Sequence, residues 1–387
     1  MRYDLVVIGA GIHGAAVAQA AAAAGYRTLV LEQYEQAATA TSSKSSKLVH
    51  GGLRYLESGQ ISVVRECLRE RRRLLKNAPH LVHLTPFHIP VYKDTLRRAW
   101  KIRLGLSLYT LLGGKAFKQV AKSEWCKLDG LHTDSLNTVL RYYDGQTDDV
   151  KLTRAVLLSA QSLGAEVRFA CSFERAVCSH QNCRVFFREQ GAGKEILTRA
   201  LVNASGPWVN SVLNRVEPAP ETLAIELVQG THLVIPGQLR QGMYYLEAPQ
   251  DQRAVFAMPW QDNILLGTTE SPFSGDPSSV QPLEAEIRYL LAVYNHYFEN
   301  TLDRLQVIAA FAGLRVLPKS EDAAFNRSRD TLLHIDEANC PRVLSIYGGK
   351  LTSHRATAEQ VIRRLRPLLP ECKKLADTRV LSLPATS

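Results

Sequence analysis

The stretch that decides the fold is "DLVVIGAGIHGAAVAQAAAAAGYRTLVLEQ", residues 4–33. An apolar run is followed by a glycine-rich turn, an alanine-rich segment and a second apolar run. This order predicts a strand over 4–8, a helix over about 12–24 and a strand over 27–31. The alanine run is expected to be a helix packed against the sheet.

Three glycines, Gly9, Gly11 and Gly14, form G-x-G-x-x-G at the first strand-to-helix junction. The first glycine permits the tight turn, the second lets a pyrophosphate approach the backbone, and the third lets helix and strand pack closely. Glu32 ends the second strand, where a carboxylate can accept hydrogen bonds from a ribose diol and would repel a 2′-phosphate. The fingerprint therefore predicts a dinucleotide other than NADP, and NAD and FAD both remain open.

Composition describes a globular chain of 387 residues with 45% hydrophobic and 22% charged residues. Its length predicts two or three structural units. No signal peptide and no membrane-spanning run is expected.

The seven cysteines are scattered without a C-x-x-C pair, which predicts reduced, buried thiols in a cytosolic protein and no metal site. A net charge of +10 favours an anionic partner.

The remaining chain alternates helical and strand-like segments. Helices are expected over 61–77, from 97 onward, and over 148–164, 283–299 and 354–366. Antiparallel strand signals crowd 223–270, and further strands are expected over 305–311, before an "AGLRVLP" turn, and over 343–347.

The predicted fold class is α/β with an α+β substrate part. A Rossmann-like cofactor domain is interleaved with an antiparallel β-sheet substrate domain. The cofactor domain is expected to comprise residues 1–85, 145–222 and 313–387, and the substrate domain residues 86–144 and 223–312.

Seven segments together resemble the flavin-dependent glycerol-3-phosphate dehydrogenases, within the D-amino-acid-oxidase-like flavoprotein superfamily. In chain order they are "GAGIHG", "TSSKSSKLVHGGLRYLE", "VNASGPWV", "GTHLVIP", "GTTE", "AGLR" and "GGKLTSHR". The likeness covers roughly residues 3–370 and implies that the fingerprint holds non-covalent FAD. It departs from the family pattern at Val316, Glu270 and Ser353-His354, and the chain is expected to lack the family's C-terminal helical domain.

The resemblance also implies which residues contact FAD. They lie in the glycine turn, after the second strand, in the serine-rich loop and in two later turns. The expected contacts are Gly9, Gly11, Ile12, His13, Gly14, Glu32, Gln33, Thr41, Ser42, Ser43, Ser46, Lys47, Leu48, Phe173, Ala204, Gly206, Trp208, Gly349, Lys350, Leu351 and Thr352.

Cationic side chains are expected around the substrate, because a phosphate dianion prefers charge-assisted donors and bidentate guanidinium groups in particular. Tyr55 and Thr269 are expected to orient the substrate. The predicted cations are Arg54, Arg315, Arg329 and Lys350.

Oxidation of an alcohol removes a hydride and the hydroxyl proton, so a base or a charge-stabilising cation is required near the oxygen. His50 and His232 are candidate bases. Arg315, Lys350 or Arg54 could instead act on the developing charge. The resemblance implies oxidation of sn-glycerol 3-phosphate to dihydroxyacetone phosphate by hydride transfer to flavin N5, with electrons passed to quinone.

Basic runs lie at 69–73, 97–103 and 363–366. Basic patches beside Trp100, Ile102 and Leu104 would suit an anionic membrane surface, and the alternative is that the runs are solvated helix faces. No motif indicates nucleic-acid binding. A cytoplasmic location is expected, with a peripheral position on the inner face of the cytoplasmic membrane as an alternative. Two other functions stay open: a flavoenzyme for another hydroxy-acid or phosphorylated polyol, and a non-catalytic flavin-binding accessory protein. The oligomeric state is left open.

Overall fold

The structure is a computed structural model that describes residues 2–57, 59–319, 331–337 and 341–385. For Arg54 it describes the backbone and not the side chain.

Helices occur throughout the described chain, and several have the bounds that the sequence predicts. The helix from residue 61 runs to Asn77, and the helix expected over 148–164 is capped by Asp148, which accepts from Val150 N and Lys151 N. The helices are α1 (Ile12–Ala23), α2 (Ile61–Asn77), α3 (Ala99–Leu111), α4 (Asp149–Ser162), α5 (Val209–Leu213), α6 (Glu284–Tyr297) and α7 (His354–Leu365).

Strands of the described residues belong to two sheets. They are β1 (Arg2–Ile8), β2 (Thr28–Leu31), β3 (Leu48–Val49), β4 (Val82–Tyr92), β5 (Lys118–Gln119), β6 (Leu136–Thr147), β7 (Glu166–Arg168), β8 (Cys171–Cys178), β9 (Cys183–Glu189), β10 (Ala192–Asn203), β11 (Val216–Glu217), β12 (Ile225–Ile235), β13 (Met243–Glu247), β14 (Ala254–Trp260), β15 (Asn263–Gly267), β16 (Ser271–Phe273), β17 (Ala309–Pro318), β18 (Leu332–Ile335) and β19 (Val343–Tyr347).

The first sheet carries the glycine fingerprint at its centre. Its path is β11-β8-β9-β10-β1-β2-β7, and β19 also pairs with β10 and β18. Strand β1 is parallel to both β10 and β2. Helix α1 packs against this sheet and against helices α4 and α7. Its alanines at 15, 16, 18 and 20–23 are buried, because small side chains allow close packing, as the sequence predicts. The predicted α/β fold with a Rossmann-like domain is confirmed.

The second sheet is mostly antiparallel. Its path is β16-β12-β15-β14-β13-β4-β6-β3, with β17 beside β12 and β5 beside β6. Strands β4 and β6 form a long antiparallel pair, whereas β13 is parallel to β4. Helix α6 packs against this sheet with Ile287, Leu290 and Leu291 in its core.

Three predicted domain boundaries fall inside strands of the second sheet. The boundary after residue 85 cuts β4, that after 144 cuts β6, and that after 312 cuts β17. Residues 309–318 also correct the prediction of a strand over 305–311 followed by a turn. Arg304–Gln306 is a single 3₁₀ turn, and the strand begins at Ala309 because ten residues pair continuously with β12.

The cysteines differ from the prediction of reduced, buried thiols. Cys178 and Cys183 form a disulfide, with an S–S distance of 2.19 Å, because the β8–β9 hairpin places them directly opposite each other. Cys126 and Cys372 are free and exposed. Cys67 and Cys171 are buried, as predicted, and Cys340 lies outside the described residues.

Candidate functional site

A cavity of about 830 Å³ is lined by residues of both sheets. It brings together most of the residues that the sequence singles out from distant segments. Among them are Gly9, Gly11, Ile12, His13, Glu32, Gln33, Thr41, Ser42, Ser46, Leu48, His50, Tyr55, Phe173, Ala204, Gly206, Trp208, His232, Arg315, Gly349, Lys350, Leu351 and Thr352.

The glycine turn lies on the wall of this cavity at the end of β1. Gly9 has φ +98°, and a Cβ there would lie 2.8 Å from the Ala204 carbonyl oxygen. A Cβ on Gly11 would lie 3.0 Å from Ser42 Oγ. A Cβ on Gly14 would lie 1.9 Å from the Gly9 oxygen, so Gly14 serves the packing of helix on strand and does not line the cavity. The first two glycines keep a backbone-walled space at the amino end of α1, which fits a pyrophosphate.

Glu32 lies at the end of β2, where the predicted ribose diol would be held. It is buried, and its carboxylate accepts hydrogen bonds from Ala10 N at 2.6 Å and Tyr34 N at 3.0 Å. Burial raises the pKa of Glu32 despite these backbone donors. The carboxylate therefore stabilises the glycine turn through its hydrogen bond to Ala10, and it also lines the cavity.

The serine-rich loop is held beside the glycine turn by one buried acid. Ser42 Oγ accepts from Ile12 N at 2.9 Å, in the first turn of α1. Asp149 accepts from Ser45 N at 3.0 Å, from Ser45 Oγ at 2.7 Å and from Lys47 Nζ at 2.5 Å. Lys47 and Asp149 are both buried, so this ion pair anchors the loop and Lys47 does not line the cavity.

His13 is a buried polar group with unmet hydrogen-bonding capacity. Within the described part of the chain, neither ring nitrogen has a hydrogen-bond partner. Burial, and then His354, lowers the pKa of His13 to about 3. Since buried polar atoms are almost always paired, an unpaired histidine in a cavity wall fits a cofactor that supplies the partner.

The Gly348-Gly349 turn crosses directly over His13, where a Cβ on Gly349 would lie 2.0 Å from His13 Nε2. Both glycines have positive φ, +68° and +114°. His354 Nδ1 donates to Leu351 O at 2.7 Å and fixes the turn at the start of α7. The turn presents Lys350 to the cavity next to a helix amino terminus, a positive environment that suits reduced flavin.

The turn around Gly51 lies next to the Lys350 turn. Thr352 Oγ1 donates to His50 O at 3.3 Å, and Lys350 Nζ lies 4.3 Å from the centroid of the Tyr55 ring. A Cβ on Gly51 would lie 2.3 Å from Tyr109 Oη. The predicted grouping of His50, Tyr55 and Lys350 is therefore present, and the predicted role of the Arg54 side chain lies outside the described residues.

His232 lies in the cavity wall on β12. Its Nε2 lies 2.9 Å from Ser46 Oγ, and its ring stacks on Phe311 with a centroid distance of 5.2 Å. Burial, then the charges of Arg315 and Lys47, lowers the pKa of His232 to about 3. The imidazole is therefore neutral at physiological pH.

Arg315 is the cavity arginine on β17. Its Nη1 lies 3.0 Å from Glu270 Oε1, and its Nη2 donates to Thr268 Oγ1 at 3.3 Å. A Cβ on Gly230 would lie 2.8 Å from Nη2. The bare backbone at Gly230 and the two acceptors fix the plane of the guanidinium against one wall of the cavity.

Besides Gly14 and the Arg54 side chain, four predicted residues lie elsewhere or are not described. Thr269 is buried with its hydroxyl donating to Glu286 Oε1 at 2.7 Å, so it is not in the cavity wall. Ser43 Oγ donates to Thr39 O and Ala40 O within its own turn and does not line the cavity. Lys47 is turned to Asp149, and Arg329 lies outside the described residues.

Sequence reasoning missed several charged residues of the cavity. Glu270 was noted only as a departure from the family pattern. Arg253 was not predicted, because the sequence around it contains no recognisable motif. Arg253 Nη1 donates to Glu270 O at 3.0 Å, and its guanidinium pairs with Asp251. Lys44 was within the quoted serine loop, and its Nζ lies 5.5 Å from the Phe311 centroid.

Comparison with known proteins gives consistent matches over nearly the whole chain. Residues 4–362 match the family described as DAO, FAD dependent oxidoreductase. The aerobic glycerol-3-phosphate dehydrogenase of Escherichia coli K12 is 37% identical over 372 residues, which cover 94% of this chain and 73% of that protein. The D-erythritol 1-phosphate dehydrogenase of Brucella abortus is 35% identical over 377 residues, covering 95% and 74%.

A solved structure matches as well. The crystal structure of the Bacillus halodurans glycerol-3-phosphate dehydrogenase, complexed with FAD, has a TM-score of 0.78 and 25% sequence identity. The match covers 99% of this chain and 68% of that one.

Proposed function

The chain belongs to the family of FAD-dependent oxidoreductases, and on that basis we propose that it oxidises sn-glycerol 3-phosphate to dihydroxyacetone phosphate. The observation that carries the proposal is the presence of Arg315 and Lys350 in the same cavity as the glycine turn. Bound FAD supplies the acceptor for the hydride that leaves the hydroxyl-bearing carbon. The residues that would hold FAD are those of the glycine turn, the serine loop and the 348–352 turn.

Arg315 would bind the phosphate of the substrate. A guanidinium gives bidentate, charge-assisted hydrogen bonds to phosphate, and its orientation here is set by Glu270 and Thr268. Arg54 remains a predicted second ligand. The phosphate end of the substrate would therefore lie on the β12–β17 side of the cavity.

Lys350 would stabilise the oxygen that loses its proton. Its ammonium lies 4.3 Å from the centroid of the Tyr55 ring, close to the start of α7, and Lys350 lines the same cavity as His50. A positive charge at this point favours a developing alkoxide. His232 is a weak base, since burial lowers its pKa to about 3, so His50 is the better candidate to accept the proton.

The identity of the polyol is tested by anaerobic flavin reduction with a panel of alcohols. We expect sn-glycerol 3-phosphate to bleach the flavin absorbance and glycerol, which lacks the phosphate, to leave it oxidised. D-Erythritol 1-phosphate belongs in the panel because one relative at 35% identity is named for it. Faster reduction by the four-carbon phosphate would assign the chain to that substrate, and persistence of oxidised flavin with every alcohol would favour a non-catalytic role.

The electrons are proposed to pass to a quinone at a membrane surface. Among the described residues, none of the helices combines the length and hydrophobicity that a bilayer span requires. Helix α3 exposes Trp100 and Leu104, at 59% and 65%, and Leu111, at 82%. Lys101 and Arg103 are exposed on the same helix. Apolar side chains interleaved with cations suit the interface of an anionic bilayer.

Co-sedimentation with vesicles tests this surface. Leu104→Asp and Leu111→Asp should weaken binding to vesicles that contain anionic lipid, because each removes apolar contact and adds a repelled charge. Leu305→Asp is the matched control, since Leu305 is 93% exposed on a 3₁₀ turn outside α3. If all three variants bind the vesicles as well as the wild-type protein does, α3 is excluded as the membrane surface.

A further inference from the structure

Glu286, on helix α6, is a buried carboxylate that accepts an unusual number of hydrogen bonds. Its Oε1 accepts from Thr269 Oγ1 at 2.7 Å and Ser271 Oγ at 2.8 Å. Its Oε2 accepts from Gln229 Nε2 at 2.7 Å, Thr231 Oγ1 at 2.6 Å and Leu283 N at 3.2 Å. Burial opposes the charge, but these donors together leave the pKa of Glu286 lowered, so the group is ionised.

Glu286 contacts the back of the segment that faces Arg315. Residues 268–271 lead from β15 into β16, and side chains alternate along such an extended segment. Thr268 and Glu270 face the cavity and hold Arg315, whereas Thr269 and Ser271 face Glu286. Each acceptor for Arg315 is therefore next to a residue fixed by the buried carboxylate.

A second connection runs through β12. Thr231 donates to Glu286 with its hydroxyl and to Thr269 Oγ1 with its backbone N–H at 2.9 Å. Its neighbour in the chain, Gly230, is the residue whose missing Cβ leaves room for Arg315. The carboxylate thus fixes both backbone segments that border the guanidinium.

We propose that Glu286 is a positioning residue, remote from the cavity, that aims Arg315 at the substrate phosphate through residues 268–271. This inference rests on the proposed function. A role limited to capping α6 would involve Leu283 N alone and would leave substrate binding unchanged. The four side-chain donors connect Glu286 to the cavity wall instead.

The test is anaerobic stopped-flow reduction of the FAD-loaded protein at varied sn-glycerol 3-phosphate concentrations. Glu286→Gln should raise the half-saturating concentration roughly tenfold, since hydrogen bonds to a charged group are lost, while the limiting rate changes less than about twofold. Glu284→Gln, the same change two residues earlier at an exposed carboxylate paired with Arg304, should behave as the wild type.

A double-mutant cycle distinguishes positioning from general loosening of the fold. In an Arg315→Lys background, Glu286→Gln should change the half-saturating concentration less than about twofold. A lysine lacks the planar guanidinium that Glu270 and Thr268 orient. Ser271→Ala, which removes one donor and keeps the charge, should raise the half-saturating concentration about two- to threefold and provides the test if Glu286→Gln does not fold.

A tenfold effect that persists in the Arg315→Lys background would overturn the inference, as would a Glu286→Gln variant that matches Glu284→Gln. In both cases the wild-type flavin is reduced and the proposed function stands. Failure of the wild-type flavin to be reduced by any phosphorylated polyol would refute the proposed function and this inference together.

Discussion

Breaking the buried ion pair between Lys47 and Asp149 should weaken FAD binding severely. The side chains are 6% and 0% exposed, and Asp149 also accepts both hydrogen bonds that Ser45 offers it. Asp149→Asn leaves the Lys47 ammonium without a counter-charge. Removing one partner of a buried pair costs about 3–5 kcal/mol, because the remaining charge is uncompensated.

The cost should appear in FAD affinity because the affected loop lines the cavity. If FAD binding must restore the native loop, the free energy of FAD binding is weakened by this cost. A loss of about 3 kcal/mol raises the FAD dissociation constant more than 10²-fold. Fluorescence titration of the apoprotein with FAD measures this constant directly, and circular dichroism of the same samples checks the secondary structure.

Asp148→Asn is the matched control, since Asp148 is the N-cap of the same helix and asparagine caps a helix as well as aspartate. We expect its FAD dissociation constant to stay within about threefold of the wild-type value. The reasoning is refuted if Asp149→Asn binds FAD as tightly as Asp148→Asn does.

Three further predictions concern other parts of the site. Arg315→Ala should lower the rate of flavin reduction per substrate concentration by at least about 10²-fold while FAD stays bound, as the visible spectrum reports; release of FAD would mean that Arg315 is part of the cofactor site. Gly9→Ala should abolish FAD binding, since the new Cβ would lie 2.8 Å from Ala204 O. Gly164→Ala should retain FAD binding, since Gly164 also has a positive φ, +97°, but no described atom lies within 4 Å of its added Cβ. Stability should fall as pH falls from about 6.5 toward 3, by up to about 1.4 kcal/mol per unit for one group, because the unfolded chain protonates His232 and the folded protein keeps it neutral. In thermal melts His232→Gln should remove this one group's share of the slope and leave that of His13, whose pKa is also lowered to about 3, and an unchanged slope would contradict the assignment.

Local patterns explain how much of the fold the sequence could predict. The glycine turn, helix α2 and strand β19 depend on residues close in sequence, and the observed bounds of α2 and β19 match those predicted. Strand β17 was placed wrongly because its extent is set by pairing with β12, which no local periodicity shows.

Motifs pointed to residues that the structure brings into the cavity wall, whereas contacts between distant residues could not be read from the sequence. Lys47 and Asp149 lie 102 positions apart, and Arg315 and Glu270 lie 45 apart. A sequence shows neither pairing, so Lys47 and Thr269 were assigned to ligands when each contacts a buried carboxylate. Arg253 was missed because its role depends on the carbonyl of Glu270.

The most direct test of the central claim is a single anaerobic turnover of the FAD-loaded protein with sn-glycerol 3-phosphate. We expect saturable loss of the oxidised flavin absorbance, with one dihydroxyacetone phosphate formed for each flavin reduced. Flavin that stays oxidised at saturating sn-glycerol 3-phosphate, in protein that has retained its FAD, would contradict the account.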